Sequence, residues 1–137
     1  MIPDIVFVEE LPHAIDKVWA ALTDSADLAE WLMPNDFEPR LGKQFTLQCP
    51  PGLTTRGWVE CVLLEMDPPQ RMVWSWQAVA ESEPSQVAFC LEPIANGSGT
   101  RLTLTHSREP SATERQRFAG GWTEKLANLR QRLAEAS

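Results

Sequence analysis

A histidine at the end of an alternating segment is the residue in this sequence best suited to chemistry. If the segment from Thr100 to Ser107 is a strand, His106 shares a face with Leu102 and Leu104. A neutral imidazole donates a hydrogen bond from one ring nitrogen and accepts one at the other, so His106 is a candidate for holding a polar atom of an apolar ligand. Imidazoles also titrate near neutral pH, which makes acid or base catalysis a second interpretation. A hydrogen bond to a neighbouring loop, with a structural role alone, is the third.

Tryptophan is the second residue type that could take part in function, because the chain contains six tryptophans. Trp74 and Trp76 share a strand face with Met72. An indole is rarely fully buried and needs a partner for its N–H group, which suits a partly polar cavity. Two interpretations stay open for Trp31, Trp74, Trp76 and Trp122: they contact a ligand, or they fill the concave side of a sheet.

Catalysis by several residues together has little support in the sequence. The other histidine, His13, lies far along the chain, and no Ser–His–acid order, phosphate-binding loop or metal-ligand spacing is found. Cys49, Cys61 and Cys90 are too widely spaced for a Cys-x-x-Cys site and are typical of reduced, buried thiols. We therefore expect no metal and no cofactor, with His106 as at most a lone acid or base.

Length and charge limit the classes of protein to consider. The chain has 137 residues, which we predict to form one domain over residues 1–137. Twelve basic and nineteen acidic residues give a net charge of -7, which argues against nucleic acid as a partner. The first eleven residues contain no Lys or Arg, unlike a signal peptide, and no apolar run is long enough to span a bilayer. We expect a cytoplasmic protein without membrane insertion, of undetermined oligomeric state.

The elements that must position these side chains can be predicted from periodicity and turn residues. Two short helices follow an opening strand, one over about 14–22 and one that begins at Asp24 or Ser25 and ends before Pro34. From residue 37 to residue 107, short strand-like runs alternate with turn residues, which is typical of an antiparallel meander. Strands are predicted near 4–11, 37–49 (as one strand or two), 55–66, 71–78, 86–93 and 100–107.

A long amphipathic helix is predicted over 112–134. Its apolar stripe has spacings of four, four, three and four, and consists of Phe118, Trp122, Leu126, Leu129 and Leu133. Ser111 and Glu114 have the spacing of a capping box. Gly120 and Gly121 each cost such a helix about 1 kcal/mol relative to alanine. They predict a close approach of another group to the backbone, or a bend.

Several segments, in this order along the chain, resemble the family named after the activator of the heat shock protein 90 ATPase, within the START-like (SRPBCC) superfamily. The segments are Ala14 to Asp24, Leu28 to Leu32, Asp67 to Trp76, Thr100 to Ser107, and Gly121–Trp122 followed by Leu126, Leu129 and Leu133. Together they cover nearly the whole chain. One departure is Gly42–Lys43, where the family commonly has Gly-Gly.

The resemblance implies an α+β helix-grip fold, with a curved antiparallel sheet of about six strands around a long C-terminal helix and two short helices after the first strand. It also implies a cavity between sheet and helix that binds a small hydrophobic or aromatic molecule. The residues predicted to line it are Trp31, Trp74, Trp76, His106, Phe118 and Trp122. The family name implies an alternative partner, a heat shock protein 90 type chaperone of the stress response. The superfamily implies a further alternative, a polyketide cyclase-like enzyme using His106.

Overall fold

The described part of the chain forms one six-stranded antiparallel sheet, two short α-helices and one long α-helix. The structure, a computed structural model, describes residues 4–49, 57–78, 83–108 and 112–135. In chain order the elements are β1 Ile5–Leu11, α1 Ile15–Thr23, α2 Ser25–Trp31, β2 Gln44–Gln48, β3 Trp58–Asp67, β4 Arg71–Trp76, β5 Ser85–Ile94, β6 Gly99–Ser107 and α3 Ala112–Glu135. No helix within these ranges is both long and apolar enough to cross a membrane.

The sheet is a meander with its first strand added at the far edge. The strand order is β1-β6-β5-β4-β3-β2, so each of β2 to β6 pairs with its neighbour in sequence. β1 instead pairs with β6, which sets Ile5 opposite His106. Helix-grip architecture was the prediction from the sequence, and the α+β fold class is confirmed.

The two short helices hold each other through a tryptophan. α1 buries Val18, Ala21 and Leu22, and Trp31 at the end of α2 is 1% exposed. The Trp31 Nε1 group donates a hydrogen bond to the Ala21 carbonyl oxygen at 2.9 Å. This carbonyl belongs to the last turn of α1, where the helix itself supplies no partner. Asp24 caps α2 as predicted, since its carboxylate accepts the backbone N–H of Asp27 at 3.0 Å.

The prediction of strand structure throughout 37–49 is wrong in its first half. Only Gln44–Gln48 forms a strand there. Pro39 has no N–H to give to a sheet, and Gly42 has a φ of +78°, which an extended strand does not contain. Phe37 is nevertheless buried at 4% exposure, so hydrophobicity alone made this loop resemble a strand.

The long helix agrees with the predicted stripe, whose five side chains are all buried. The predicted capping box falls on Ser111 and the Glu114 side chain, which lie outside the described residues. Of the two alternatives predicted for the glycine pair, a close approach is not found at Gly120: apart from the neighbouring backbone of the helix itself, no described atom lies within 4 Å of the position a Cβ would take.

Ion pairs fix the second half of α3 to its neighbours. Arg130 contacts Glu9 of β1 at 2.6 Å, and Arg132 contacts Asp27 of α2 at 2.7 Å. Each pair is partly exposed and contributes about 1 kcal/mol or less. Most of the helix's stability therefore comes from its buried stripe on the concave side of the sheet.

Candidate functional site

His106 lies at the centre of a buried chain of hydrogen bonds that joins β4, β5, β6 and α3. Its exposed fraction is 0%, and its Nε2 atom lies 2.7 Å from the Ser85 hydroxyl oxygen. The Trp122 indole N–H donates to His106 Nδ1 at 3.0 Å. The Ser85 hydroxyl in turn donates to the Trp76 carbonyl oxygen at 3.1 Å. The imidazole is thus held from the sheet side and from the helix side.

The direction of these bonds fixes the position of the imidazole proton. Because Nδ1 accepts the Trp122 N–H, it carries no proton, and the ring proton of the neutral form is on Nε2. Nε2 then donates to Ser85, whose own proton goes to the Trp76 carbonyl. A general base would need a bare Nε2 towards a serine hydroxyl, as in nucleophilic triads. The Ser85–His106 pair has the opposite polarity, so His106 does not activate Ser85 as a nucleophile.

Aromatic rings surround this histidine. The Trp76 ring centroid lies 5.3 Å from that of His106, 5.4 Å from that of Phe118 and 5.4 Å from that of Trp122. Phe118 also lies 5.7 Å from His106. Edge-to-face and tilted contacts of this kind add about 0.5–1.5 kcal/mol per pair beyond the buried area. We call these four residues the histidine cluster.

Trp74 belongs to a second aromatic group deeper under the sheet. Its ring contacts Phe37, Phe45 and Phe89 at centroid distances of 5.7, 5.1 and 4.8 Å. Phe89 connects this group to Trp122 at 6.3 Å. The aromatic rings thus form one continuous layer between sheet and helix.

Two indole N–H groups in this layer lack a hydrogen-bond partner among the described residues. They are the Nε1 atoms of Trp74 and Trp76, whose side chains are 0% and 2% exposed. Leaving a buried donor without a protein partner costs about 1–3 kcal/mol. The Trp31 and Trp122 indoles, by contrast, are both paired. The unpartnered donors are the feature of the interior that calls for a functional explanation.

Two adjoining spaces lie beside the histidine cluster. The inner recess has a volume of about 10 Å³ and is lined by Leu32, Met33, Trp76, Phe118, Gly121, Trp122 and Lys125. It has room for roughly one water molecule. The outer cleft is open on one side, has a volume of about 460 Å³, and lies between residues 29–34, the end of β2 and α3. Leu32, Met33 and Lys125 line both spaces.

The six predicted lining residues are all buried, and the structure distributes them over three places. Trp76, His106, Phe118 and Trp122 form the histidine cluster, and Trp74 reaches it through Phe89. Trp31 lies across the outer cleft, among the residues that line it. His106 itself lines neither space.

Sequence reasoning missed Ser85 and Lys125. Ser85 lies just before the predicted strand at 86–93, yet it begins β5 and is 2% exposed. It has the same strand parity as the buried Val87 and Phe89, and a serine at a buried parity position is a signal that could have revealed it. Lys125 follows Trp122 by three positions on the same helix face, which is its only sequence signal.

Carboxylates, thiols and imidazoles are the side chains that could hold a metal ion. Within the described residues, no three His, Cys, Asp or Glu side chains are grouped so that they could hold a metal ion. Cys49 lies at the outer cleft, with its Sγ atom 3.5 Å from the Met33 sulfur. Cys61 is fully buried, and burial raises the pKa of its thiol well above the ordinary value, with smaller contributions from Cys49, Asp36 and Glu60.

We expect Cys61 to react with a thiol reagent only when the protein unfolds. In a variant with Cys49 and Cys90 replaced by alanine, Cys61 should react at least about a hundredfold more slowly than Cys49 does in a variant that retains only Cys49, because a buried thiol must be exposed first.

The raised pKa of Cys61 also means that the unfolded chain loses the thiol proton at lower pH than the folded chain. The free energy of unfolding should then fall as pH rises past the ordinary thiol range. Ellman's assay measures the rate, and equal rates for the two variants would contradict the burial.

Comparison with known proteins agrees with the fold. The sequence model of the family described as Activator of Hsp90 ATPase homolog 1-like protein matches residues 12–134. The crystal structure of protein MLL2253 from Mesorhizobium loti is 26% identical, with a TM-score of 0.83, and the match covers 98% of this chain and 99% of that one. No curated protein matches the chain.

Two further solved structures are similar over almost the whole chain. CalU16 from Micromonospora echinospora is 26% identical with a TM-score of 0.80, and the match covers 95% of this chain and 75% of that one. Protein BH1534 from Bacillus halodurans is 28% identical with a TM-score of 0.77, and the match covers 96% of this chain and 97% of that one.

Proposed function

We propose that this chain, which belongs to the Activator of Hsp90 ATPase homolog 1-like protein family, binds a small aromatic or hydrophobic molecule between the sheet and α3. The ligand occupies the outer cleft and places an aromatic or apolar group against the inner recess. Trp31, Trp74, Trp76, His106, Phe118 and Trp122 remain the predicted site, and they differ in their position relative to the two spaces.

The unpartnered N–H of Trp76 is the observation that carries this proposal. Trp76 lines the inner recess, and its Nε1 atom is buried without a protein acceptor within the described ranges. A ligand with a hydrogen-bond acceptor would supply the missing partner while its apolar part covers Phe118 and Trp122. Sites that combine an apolar wall with few polar groups are typical of small-molecule binding. A single bound water is the competing occupant, since the recess has room for about one.

Entry to the recess requires side chains to move. Met33 lines both spaces and therefore lies at the passage between them. Its unbranched side chain has several rotatable bonds and adapts to different neighbours at low cost. The outer cleft, at about 460 Å³, is within the size range of ligand pockets in proteins. The ligand thus sits mainly in the outer cleft and reaches inward past Met33.

Indole signals in nuclear magnetic resonance spectra test this proposal directly. The six tryptophans give six indole N–H signals, and Trp76→Phe identifies one of them by its loss. Aromatic fragments that bind should shift the Trp76 and Trp122 signals. Trp76→Phe should weaken their binding roughly three- to tenfold, because one hydrogen bond is lost while the ring is kept. Trp19→Phe, on the half-buried face of α1, is the matched control and should leave affinity unchanged.

A contrary result would be a fragment panel that never shifts the Trp76 signal. Native mass spectrometry of the purified protein, followed by extraction of anything bound, gives an independent measurement. A small molecule that accompanies the protein would support ligand binding and provide its natural chemistry.

The chaperone partner implied by the family name stays a prediction. It is tested by adding the purified protein to a heat shock protein 90 type chaperone and measuring the ATPase rate. The cyclase alternative has less support, because both ring nitrogens of His106 are hydrogen-bonded within the protein, to Ser85 and Trp122. His106 also lines neither space.

A further inference from the structure

Lys125 occupies a particular place in the site. It lines both the inner recess and the outer cleft. Lys125 follows Gly121 by four positions and Trp122 by three, so all three lie on the same side of α3. Trp122 and Lys125 are therefore separated by about 4.5 Å along the helix axis. This distance is less than the length of a two-ring aromatic molecule, so one such molecule could contact both residues. The aliphatic part of the side chain can follow the apolar wall while the ammonium group stays at the opening.

The ammonium group of Lys125 has no hydrogen bond or ion pair with any residue that the structure describes. Two other cations on the same helix differ in this respect. Arg130 is bound to Glu9 and Arg132 to Asp27. A half-buried cation beside an apolar recess, with no carboxylate of the described residues within ion-pair distance, is available to a ligand.

One acidic residue, Glu30, is found among the residues that line the outer cleft. Its charge is partly engaged elsewhere. Hydrogen bonding to Asp27 raises the pKa of Arg132, and the nearby Glu30 carboxylate adds to this effect. Glu30 thus lies near Arg132, and it does not line the inner recess. The positive charge of Lys125 is the one beside the recess.

We propose that the ligand is an aromatic anion, namely a ring system carrying a carboxylate, sulfonate or phenolate group. The inference depends on the proposed function and specifies its ligand. The ring lies against Trp76 and Trp122, and the negative group pairs with Lys125 at the opening. The protein's net charge of -7 repels anions in general, so binding depends on this local cation and selects for molecules with the correct separation of ring and charge.

A pair of fluorescent probes tests the inference. Anilinonaphthalene sulfonate is an aromatic anion, and phenylnaphthylamine has the same ring system without the sulfonate. We expect the sulfonate to bind about tenfold more tightly to the full chain, which is the effect of one charge-assisted hydrogen bond. Lys125→Met keeps the length of the side chain but removes its charge. It should abolish this preference, whereas Lys125→Arg should retain most of it.

Lys43→Met, in the loop before β2, is the matched control and should leave both affinities unchanged. Equal affinity of the unmodified chain for the two probes would overturn the inference, and so would equal effects of the Lys125→Met and Lys43→Met variants. In those cases binding of a neutral apolar ligand, the proposed function itself, would still stand. Failure of both probes to bind the unmodified chain would overturn the inference and count against the proposed function as well.

Discussion

Replacing His106 with alanine should lower the free energy of unfolding by about 3–5 kcal/mol. The substitution leaves a cavity inside the histidine cluster. It also leaves the Trp122 indole N–H without its acceptor, and it removes the Nε2 partner of Ser85. Urea-induced unfolding followed by circular dichroism measures the loss. Since small domains are stable by only about 5–15 kcal/mol, the variant should be close to unfolding at physiological temperature.

Two controls separate loss of the hydrogen bonds from loss of volume. His13→Ala changes a partly exposed histidine and should cost less than about 1 kcal/mol. Adding Trp122→Phe to His106→Ala removes the orphaned donor, so the double variant should be more stable than the two single losses predict. A coupling of about 1 kcal/mol or more is expected for residues in one network. Strict additivity would show that the Trp122–His106 bond contributes little.

Trp74→Ala is expected to cost a similar amount, about 3–5 kcal/mol, because it empties the centre of the second aromatic group. Trp74→Phe should behave very differently. It keeps a ring among Phe37, Phe45 and Phe89 and removes an N–H that has no partner within the described ranges. Relief of that unpaired donor offsets part of the lost packing, so the net cost should be about 1 kcal/mol or less. Thermal unfolding of both variants provides the measurement.

The matched comparison is Trp31→Phe. Trp31 is equally buried, but its N–H is bonded to the Ala21 carbonyl at the end of α1. Trp31→Phe removes this N–H group and leaves the Ala21 carbonyl unpaired. The free energy of unfolding should therefore fall by about 1–2 kcal/mol more than in Trp74→Phe. If the two tryptophan-to-phenylalanine changes cost the same, the unpaired donor at Trp74 has no energetic consequence.

Much of the fold follows from periodicity. Alternation from Thr100 to Ser107 predicted β6, and the stripe from Phe118 to Leu133 predicted the core face of α3. These patterns are local, so neighbouring residues are enough to reveal them. The loop before β2 was predicted wrongly, because Phe37 is as hydrophobic and buried as a strand residue, whereas Pro39 and Gly42 impose backbone constraints that exclude a strand.

The site was less accessible to sequence reasoning, for two physical reasons. The bond between Ser85 and His106 depends on the β5–β6 register, in which Val87 lies opposite His106, and a turn at residues 95–98 sets that register. The division of space into a small recess and an open cleft depends on how the side chains of Met33, Phe118 and Trp122 pack. Spacing rules give the face on which a side chain lies, but they do not give the volume left between faces.

The pairing of β1 with β6 has a consequence for how the protein is made. A ribosome releases β1 before β6, which follows after roughly 100 further residues, so the strands between them must be synthesised before β1 can pair with β6. Until then Val6 and Val8 belong to a strand that lacks its pairing partner. Unpaired apolar strands of this kind promote aggregation and are bound by chaperones. Folding should therefore be limited by this late, long-range closure, which places the nascent chain among slow-folding topologies with many distant contacts.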